Sequence, residues 1–287
     1  MGGRFIQTRE RYGETMTNVQ TKRELNKEFK DVKYLLTSSM RAKLLLALYE
    51  IPKNLDELRH ELKKPSATIL HGLKELETIN LVRKSHKTYE LTSNGFLLTT
   101  NMIKLIENWY SLSQREDFWD NHDLSDIPDE IIKNIYLLKD TEYINSTTSD
   151  LSIAFNRYIQ LISQASKLQI ILPIYSENHF KHIIDLLNED KLQKLELYVS
   201  EEIYESIHKN KEFRKELLNN AKVKTTIIDK DLKIFLTCSD EFMSLTLFFK
   251  DGHYDDSQIL IGHDQNAIKW AHDFIKMIKK RQDNDKQ

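Results

Sequence analysis

From residue 24 onward the apolar residues fall at helical spacing. Leu25, Phe29, Val32, Leu35 and Leu36 occupy i, i+4, i+7, i+10 and i+11, which predicts a helix over 24–37. A second helix is predicted from Met40 to Glu50, capped by Ser39, with Leu44, Leu45, Leu48 and Tyr49 apolar and Pro52 just past its end. Asn54 opens a short helix, Leu55 to Leu62. Lys63-Lys64-Pro65 makes a tight turn, and Ser66 opens a third helix from Ala67 to Ile79. Its inward stripe is read as Ile69, Leu70, Leu73, Leu76 and Ile79. Two short strands follow, 81–84 and 89–91, with a turn at Ser85 to Thr88. Thr92 then starts a long helix that reaches Leu112. Phe96, Leu97, Met102, Leu105, Ile106 and Trp109 put apolar groups on nearly every face of it, and such a helix must be covered.

After residue 112 the pattern changes. Residues 113–127 are polar and acidic and read as a linker, which runs to 150 and holds one helix at 128–139. Beyond Leu151 helices are predicted at 151–166, 177–189, 201–208, 211–220 and 264–281. Strands are predicted at 168–172, 194–199, 223–228, 233–238, 242–249 and 257–261. The first three strands alternate with helices and should be parallel; the last three are closely spaced and should form a meander. Asp251-Gly252 is a hairpin-type turn signal. The fold class is therefore α+β. A winged helix-turn-helix at 24–112 is joined through 113–150 to an α/β domain with a mixed sheet at 151–287. Residues 1–23 show no periodicity and read as a disordered arm.

Charge sharpens this division. Residues 1–112 carry 19 Lys and Arg against 13 Asp and Glu, a net +6, while the remainder nets −8. A basic segment followed by an acidic one suggests that the first alone meets a polyanion. Cys238 is the single cysteine, so no disulfide framework forms within the chain. No apolar run approaches the roughly 20 residues that cross a bilayer, and the N-terminal stretch lacks the apolar core of a secretory leader. A cytoplasmic protein without membrane contact is expected.

Three helices followed by a two-stranded hairpin is the winged-helix order, and the short turn before the third helix suits it. In that geometry the third helix enters the major groove with its N-terminal residues against base edges. Ser66, Thr68, His71 and Lys74 are expected on its outer face, with Gly72 there to allow close approach. Lys63 and Lys64 stand beside the helix start, where free N–H groups favour a phosphate. The hairpin supplies Arg83, Lys84, His86 and Lys87 for phosphate or minor-groove contact. Pairing through helices 24–37 and 92–112, with Phe96, Leu105 and Trp109 at or near the seam, would make a homodimer and double the site read.

The stretches Leu55-Asp56-Glu57-Leu58-Arg59, Ser66-Ala67-Thr68-Ile69-Leu70-His71-Gly72-Leu73-Lys74-Glu75-Leu76 and Leu81-Val82 resemble an archaeal winged-helix regulator. Phe118-Trp119-Asp120-Asn121-His122-Asp123-Leu124-Ser125-Asp126-Ile127-Pro128, together with Leu247 to Asp255 and Ala267-Ile268-Lys269-Trp270, is similar to the methanogenesis-regulator (Fil-type) family of methanogenic archaea. The resemblance covers about residues 30–280. It implies a DNA-binding transcription regulator whose second domain is a regulatory module.

The strand–helix order of 151–281 also resembles half of a phospholipase D-like fold. That catalytic fold needs a histidine, a lysine two residues on and an aspartate five after that. His179 and Lys181 begin the pattern, but position 186 is Leu and Asp185 falls one residue early. There is no phosphate-cradling Gly-rich loop, Cys238 reads as a core residue, and His253, His263 and His272 are too scattered for a metal site. The domain is therefore read as non-catalytic, with no cofactor, binding a small-molecule effector that the sequence does not name. Ligands gather at the carboxyl ends of parallel strands, which singles out Tyr175, His179 and Ser200, with Lys233 opening a neighbouring strand. Two alternatives stay open: a phosphodiester-cleaving enzyme with a degenerate site, and a protein-interaction or dimerisation module that binds no DNA.

Overall fold

In a computed structural model of the chain, residues 29–30, 32–228 and 232–285 are described, with side chains to 280. The expected arm at 1–23 and the first residues of the helix at 24–37 lie outside them. The chain divides into two compact units, Met1–Ile106 and Glu107–Gln287.

In the first unit, 29–30 and 32–36 are helical. Helix α1 follows (Ser39–Ala47), then β1 (Lys53–Asn54), α2 (Leu55–Leu62), α3 (Ser66–Thr78), β2 (Val82–Ser85), β3 (Thr88–Leu91) and α4 (Ser93–Ser113), whose last turns belong to the second unit. Ser38, not Ser39, caps α1 by accepting from the Arg41 N–H. Asn54 and Glu57 form a reciprocal capping box that fixes the start of α2. Lys63 ends α2 in the left-handed conformation, φ 51°. Ser66 is the first helical residue of α3, and Pro65 caps it. Leu44, Leu45, Leu58, Ile69, Leu73 and Leu76 fill the core. Leu70 and Ile79, expected inward, are exposed. They sit at the edges of the stripe that Ile69, Leu73 and Leu76 define. The three strands pair antiparallel in the order β1-β3-β2.

The second unit is built on a seven-stranded mixed sheet, order β4-β10-β9-β8-β5-β6-β7. Its strands are β4 (Glu142–Asn145), β5 (Lys167–Ile171), β6 (Lys194–Val199), β7 (Val223–Ile227), β8 (Ile234–Cys238), β9 (Met243–Leu247) and β10 (Gln258–Gly262). As predicted, β5, β6 and β7 are parallel and β8, β9 and β10 form an antiparallel meander; β5 joins the halves by pairing with β8. Alternate residues go to opposite faces. Ile170, Leu197, Phe235 and Ile261 join the core under α7 (Ile153–Ile162), α8 (Glu177–Asn188) and α9 (Glu201–Lys209). Ile171, Tyr198, Leu236 and Leu260 join the core under α5 (Glu116–Asn121), α6 (Asp129–Ile132) and α10 (Gln265–Asp285).

Residues 113–150 are not a linker. They contain α5, α6, a 3-10 turn at Ile135–Leu138 and the edge strand β4, which pairs with β10. Phe118, Trp119, Ile131 and Leu138 are buried in the core beneath α10. The acidic side chains around them face solvent and masked this sparse apolar set. The helix expected at 128–139 is broken at Lys133–Asn134. The helix expected at 211–220 is a short turn, Lys211–Phe213, followed by a π-helical turn at Arg214–Leu218.

Candidate functional site

The outer face of α3 presents Thr68, His71 and Lys74 to solvent, with Ser66 half-buried at its start and Lys63 and Lys64 exposed beside it. Lys63, Lys64, Lys74 and Lys87 form no ion pair among the described residues. His71 lies 3.6 Å from the Glu75 carboxylate one turn on. Gly72 does not share this face. It is buried, and a Cβ there would stand 2.7 Å from Leu44 Cδ1 and 3.1 Å from Met40 Cγ. Its lack of a side chain serves the packing of α3 on α1, so its expected role in close approach to a ligand is corrected.

The β2–β3 hairpin turns at His86-Lys87, with His86 at φ 56° and both side chains exposed. Arg83 and Lys84 stand on its outer strand. Arg83 donates to Glu90 across the hairpin at 2.7 Å, which neutralises part of its charge. The Lys84 ammonium lies 5.6 Å from the Tyr89 ring centre.

Arg41 holds α3 in place, a role the apolar pattern did not show. Its guanidinium is buried, donates to Glu75 at 3.0 Å and to the Tyr34 carbonyl, and stacks 3.7 Å from the Tyr34 ring centre. The Tyr34 hydroxyl also donates to Glu75. Desolvation alone would raise the Glu75 carboxyl; the hydrogen bonds from Arg41 and Tyr34 outweigh it and hold the group below its usual range.

In the second unit the four expected ligand residues lie apart. His179 is buried in α8, bonded to Ser176 at 2.8 Å, and lines a cavity. Burial, with the neighbouring His182, pushes its pKa down to about 4. Tyr175 packs on Phe180 and Phe213, the Ser200 hydroxyl caps α9, and the Lys233 backbone N–H donates to Asp126. None of these three lines that cavity. Lys181 is exposed and paired with Glu177, while His179 is buried on the same helix. Cys238 is buried, and its thiol is pushed up to about 12, chiefly by desolvation. Among the described residues no three His, Cys, Asp or Glu side chains gather as a metal site, and no helix is long and apolar enough to cross a membrane.

Two segments far apart in sequence meet in this unit. His122, after α5, donates through Nε2 to Asp255 at 3.0 Å, turns Nδ1 toward the Phe118 carbonyl, and stacks on Phe249. The Asp123 N–H donates to the Phe248 carbonyl at 2.8 Å.

Comparison with known proteins places relatives beside this geometry. The model of the N-terminal domain of the methanogenesis regulatory protein FilR1 matches residues 29–108, and the model of that protein's middle domain matches 152–281. The methanogenesis regulatory protein FilR1 of Methanothrix harundinacea (strain 6Ac) is 25% identical over 257 residues, 88% of this chain and 57% of its own. The chain thus spans little more than half the length of that relative. Among solved structures, the archaeal chromatin protein TrmBL2, described with a novel mode of DNA binding, aligns over 86% of this chain and 93% of its own at 12% identity, TM-score 0.36. An O-methyltransferase family protein from Burkholderia thailandensis aligns over 75% and 65% at 10% identity, TM-score 0.26. At these scores neither likeness bears on the fold.

Proposed function

With the N-terminal and middle domains of the methanogenesis-regulator (FilR1) family both matched in this chain, we propose that it is a DNA-binding transcription regulator. The first unit is read as a winged helix-turn-helix that lays α3 in the major groove. Lys63, Lys64, Ser66, Thr68, His71 and Lys74 contact bases and phosphates there, and Arg83, Lys84, His86 and Lys87 contact the flanking backbone. The observation that carries this reading is the exposed face of α3, where Thr68, His71 and Lys74 stand clear of the core beside cations without acidic partners among the described residues. The second unit is read as a non-catalytic regulatory module, a phospholipase D-like half without the catalytic set. Buried His179 and exposed Lys181 are not presented together to a substrate. The working molecule is a cytoplasmic homodimer that responds to an effector.

The test is binding to duplex genomic fragments across salt concentrations. Each phosphate neutralised steepens the fall of log affinity with log salt by about 0.9. Lys74→Glu/Lys87→Glu is expected to weaken binding at least tenfold at low salt and to reduce that slope by about one to two. Both side chains are exposed and free of ion pairs among the described residues, so the fold should stand. Failure of the unaltered protein to bind at low salt, or full binding by the double variant, overturns the proposal.

A further inference from the structure

A cavity of about 40 Å³ lies between α7, α8 and the antiparallel strands β8 to β10. Five rings wall it: Phe155, Tyr158, His179, Phe235 and Tyr254. The His179 ring centre is 4.9 Å from that of Phe155, 5.4 Å from Tyr158 and 5.3 Å from Phe235, and Tyr254 closes on Phe235 at 6.3 Å. The Tyr158 hydroxyl is held by Thr237 at 3.2 Å, so Tyr158 gives the wall mainly its ring. A core built for stability alone would fill this space, because gaps between buried rings forfeit dispersion contacts. One water needs roughly 10–15 Å³, so there is room for about three groups of that size, such as one or two methyl groups of a ligand that sits at the mouth.

The charge of the lining selects the ligand. No Lys or Arg lines the cavity, and the one carboxylate that does, Asp256, is exposed and marks its mouth. His179 is held neutral by burial, and burial likewise keeps the Tyr158 and Tyr254 phenols protonated. The site therefore offers ring π-systems, the neutral polar groups of Ser244, Thr246 and Gln258, and one negative charge. An anion would find no positive partner and would meet Asp256. A cation finds the aromatic rings as well as the carboxylate, and one clothed in methyl groups leaves water at least cost. We propose that this cavity binds a small alkylated ammonium ion at its mouth, with one or two of the methyl groups among the rings and the charged nitrogen answered by Asp256. The inference deepens the reading of the second unit as an effector module and gives that effector a chemical class.

Binding is tested apart from regulation. The full chain is titrated calorimetrically with tetramethylammonium chloride, against sodium chloride at equal ionic strength and against tert-butanol as an uncharged isostere. Saturable binding of tetramethylammonium alone is expected, weakened at least fivefold by Asp256→Asn and by Phe155→Leu. Asp256 is exposed, so its variant should fold even where a ring variant does not. No heat beyond that of sodium chloride, equal binding of tert-butanol, or undiminished affinity in Asp256→Asn overturns the site. DNA affinity is then read with and without tetramethylammonium. Saturable binding with unchanged DNA affinity keeps the site and removes its regulatory role, whereas DNA binding without ammonium binding leaves the regulator reading and removes the site.

Discussion

Asp255 shows how much one carboxylate can hold together. It accepts from His122 Nε2 at 3.0 Å, from the Ser257 N–H at 2.8 Å and from the Ser257 hydroxyl at 2.6 Å, with almost no exposure to solvent. Burial by itself would raise its pKa, but these hydrogen bonds prevail and hold the carboxyl below the usual carboxylate range. The folded value thus lies below the unfolded one. The stabilisation is present above the unfolded pKa, near 4, and is lost as pH falls through the folded value. Asp255→Asn should cost roughly 2 kcal/mol at pH 7 and flatten the loss of stability between about pH 5 and 3. Urea unfolding across that range checks both, and an unchanged acid slope would count against the role given to Asp255. The two residues lie in the two segments, 118–128 and 247–255, that carry the closer family resemblance. The sequence showed each segment but not their meeting, because a pair 133 residues apart leaves no periodic trace. Arg41 was missed and Gly72 was placed on the wrong face for a related reason: a buried arginine and an inward glycine break the apolar stripe that periodicity follows.

Elements with strong local signals were legible and those with sparse apolar content were not. The caps expected at Asn54 and Thr92 and the short apolar runs read as β5 to β10 all placed their elements correctly. Helix α5 and strand β4 were hidden in a polar stretch: Phe118 and Trp119 of α5 are inward in the core beneath α10, while β4 is held by pairing with β10. One helical glycine shows how closely α4 is seated. A Cβ on Gly95 would stand 2.0 Å from the Leu81 carbonyl oxygen and 2.9 Å from its carbon, and both are backbone atoms that cannot rotate away. That oxygen also accepts the Thr92 N–H, which fastens the end of the hairpin to the start of α4. Alanine gains about 1 kcal/mol in helix propensity, but overpacking against backbone costs about 3 kcal/mol. Gly95→Ala should therefore lower stability by about 2 kcal/mol. Loss of the hairpin's fixed position should weaken DNA binding as well. A urea midpoint equal to that of the unaltered chain would show that Leu81 yields easily.

At the scale of the whole molecule, α4 leaves a run of large apolar side chains exposed among the described residues. Leu97, Leu105 and Trp109 are 62%, 56% and 70% exposed, and Ile106, Tyr110 and Leu112 add to the same helix. Leu105, Trp109 and Leu112 fall at i, i+4 and i+7, the stripe that a helix offers to another helix. Phe96 is partly satisfied within its own unit by stacking on Tyr49 at 5.3 Å, so the demand concentrates toward the C-terminal half. An exposed apolar stripe at helical spacing is the pattern of an interaction face rather than of scattered single exposures. A second copy is the occupant that the proposed function favours. A single α3 reads few base pairs, and a two-fold axis through paired α4 helices would present two α3 helices to successive half-sites. The unaltered chain is expected to sediment at micromolar concentration with twice the 34.0 kDa of one chain. Leu105→Glu/Trp109→Glu would bury like charges at the seam and should give the mass of one chain with an unchanged circular dichroism spectrum. Because each half-site is then read alone, the same variant should lose at least a hundredfold in affinity for a two-fold symmetric DNA site and much less for a single half-site. An unaltered chain of one-chain mass would remove the dimer. A double variant that stays paired would move the seam to another surface.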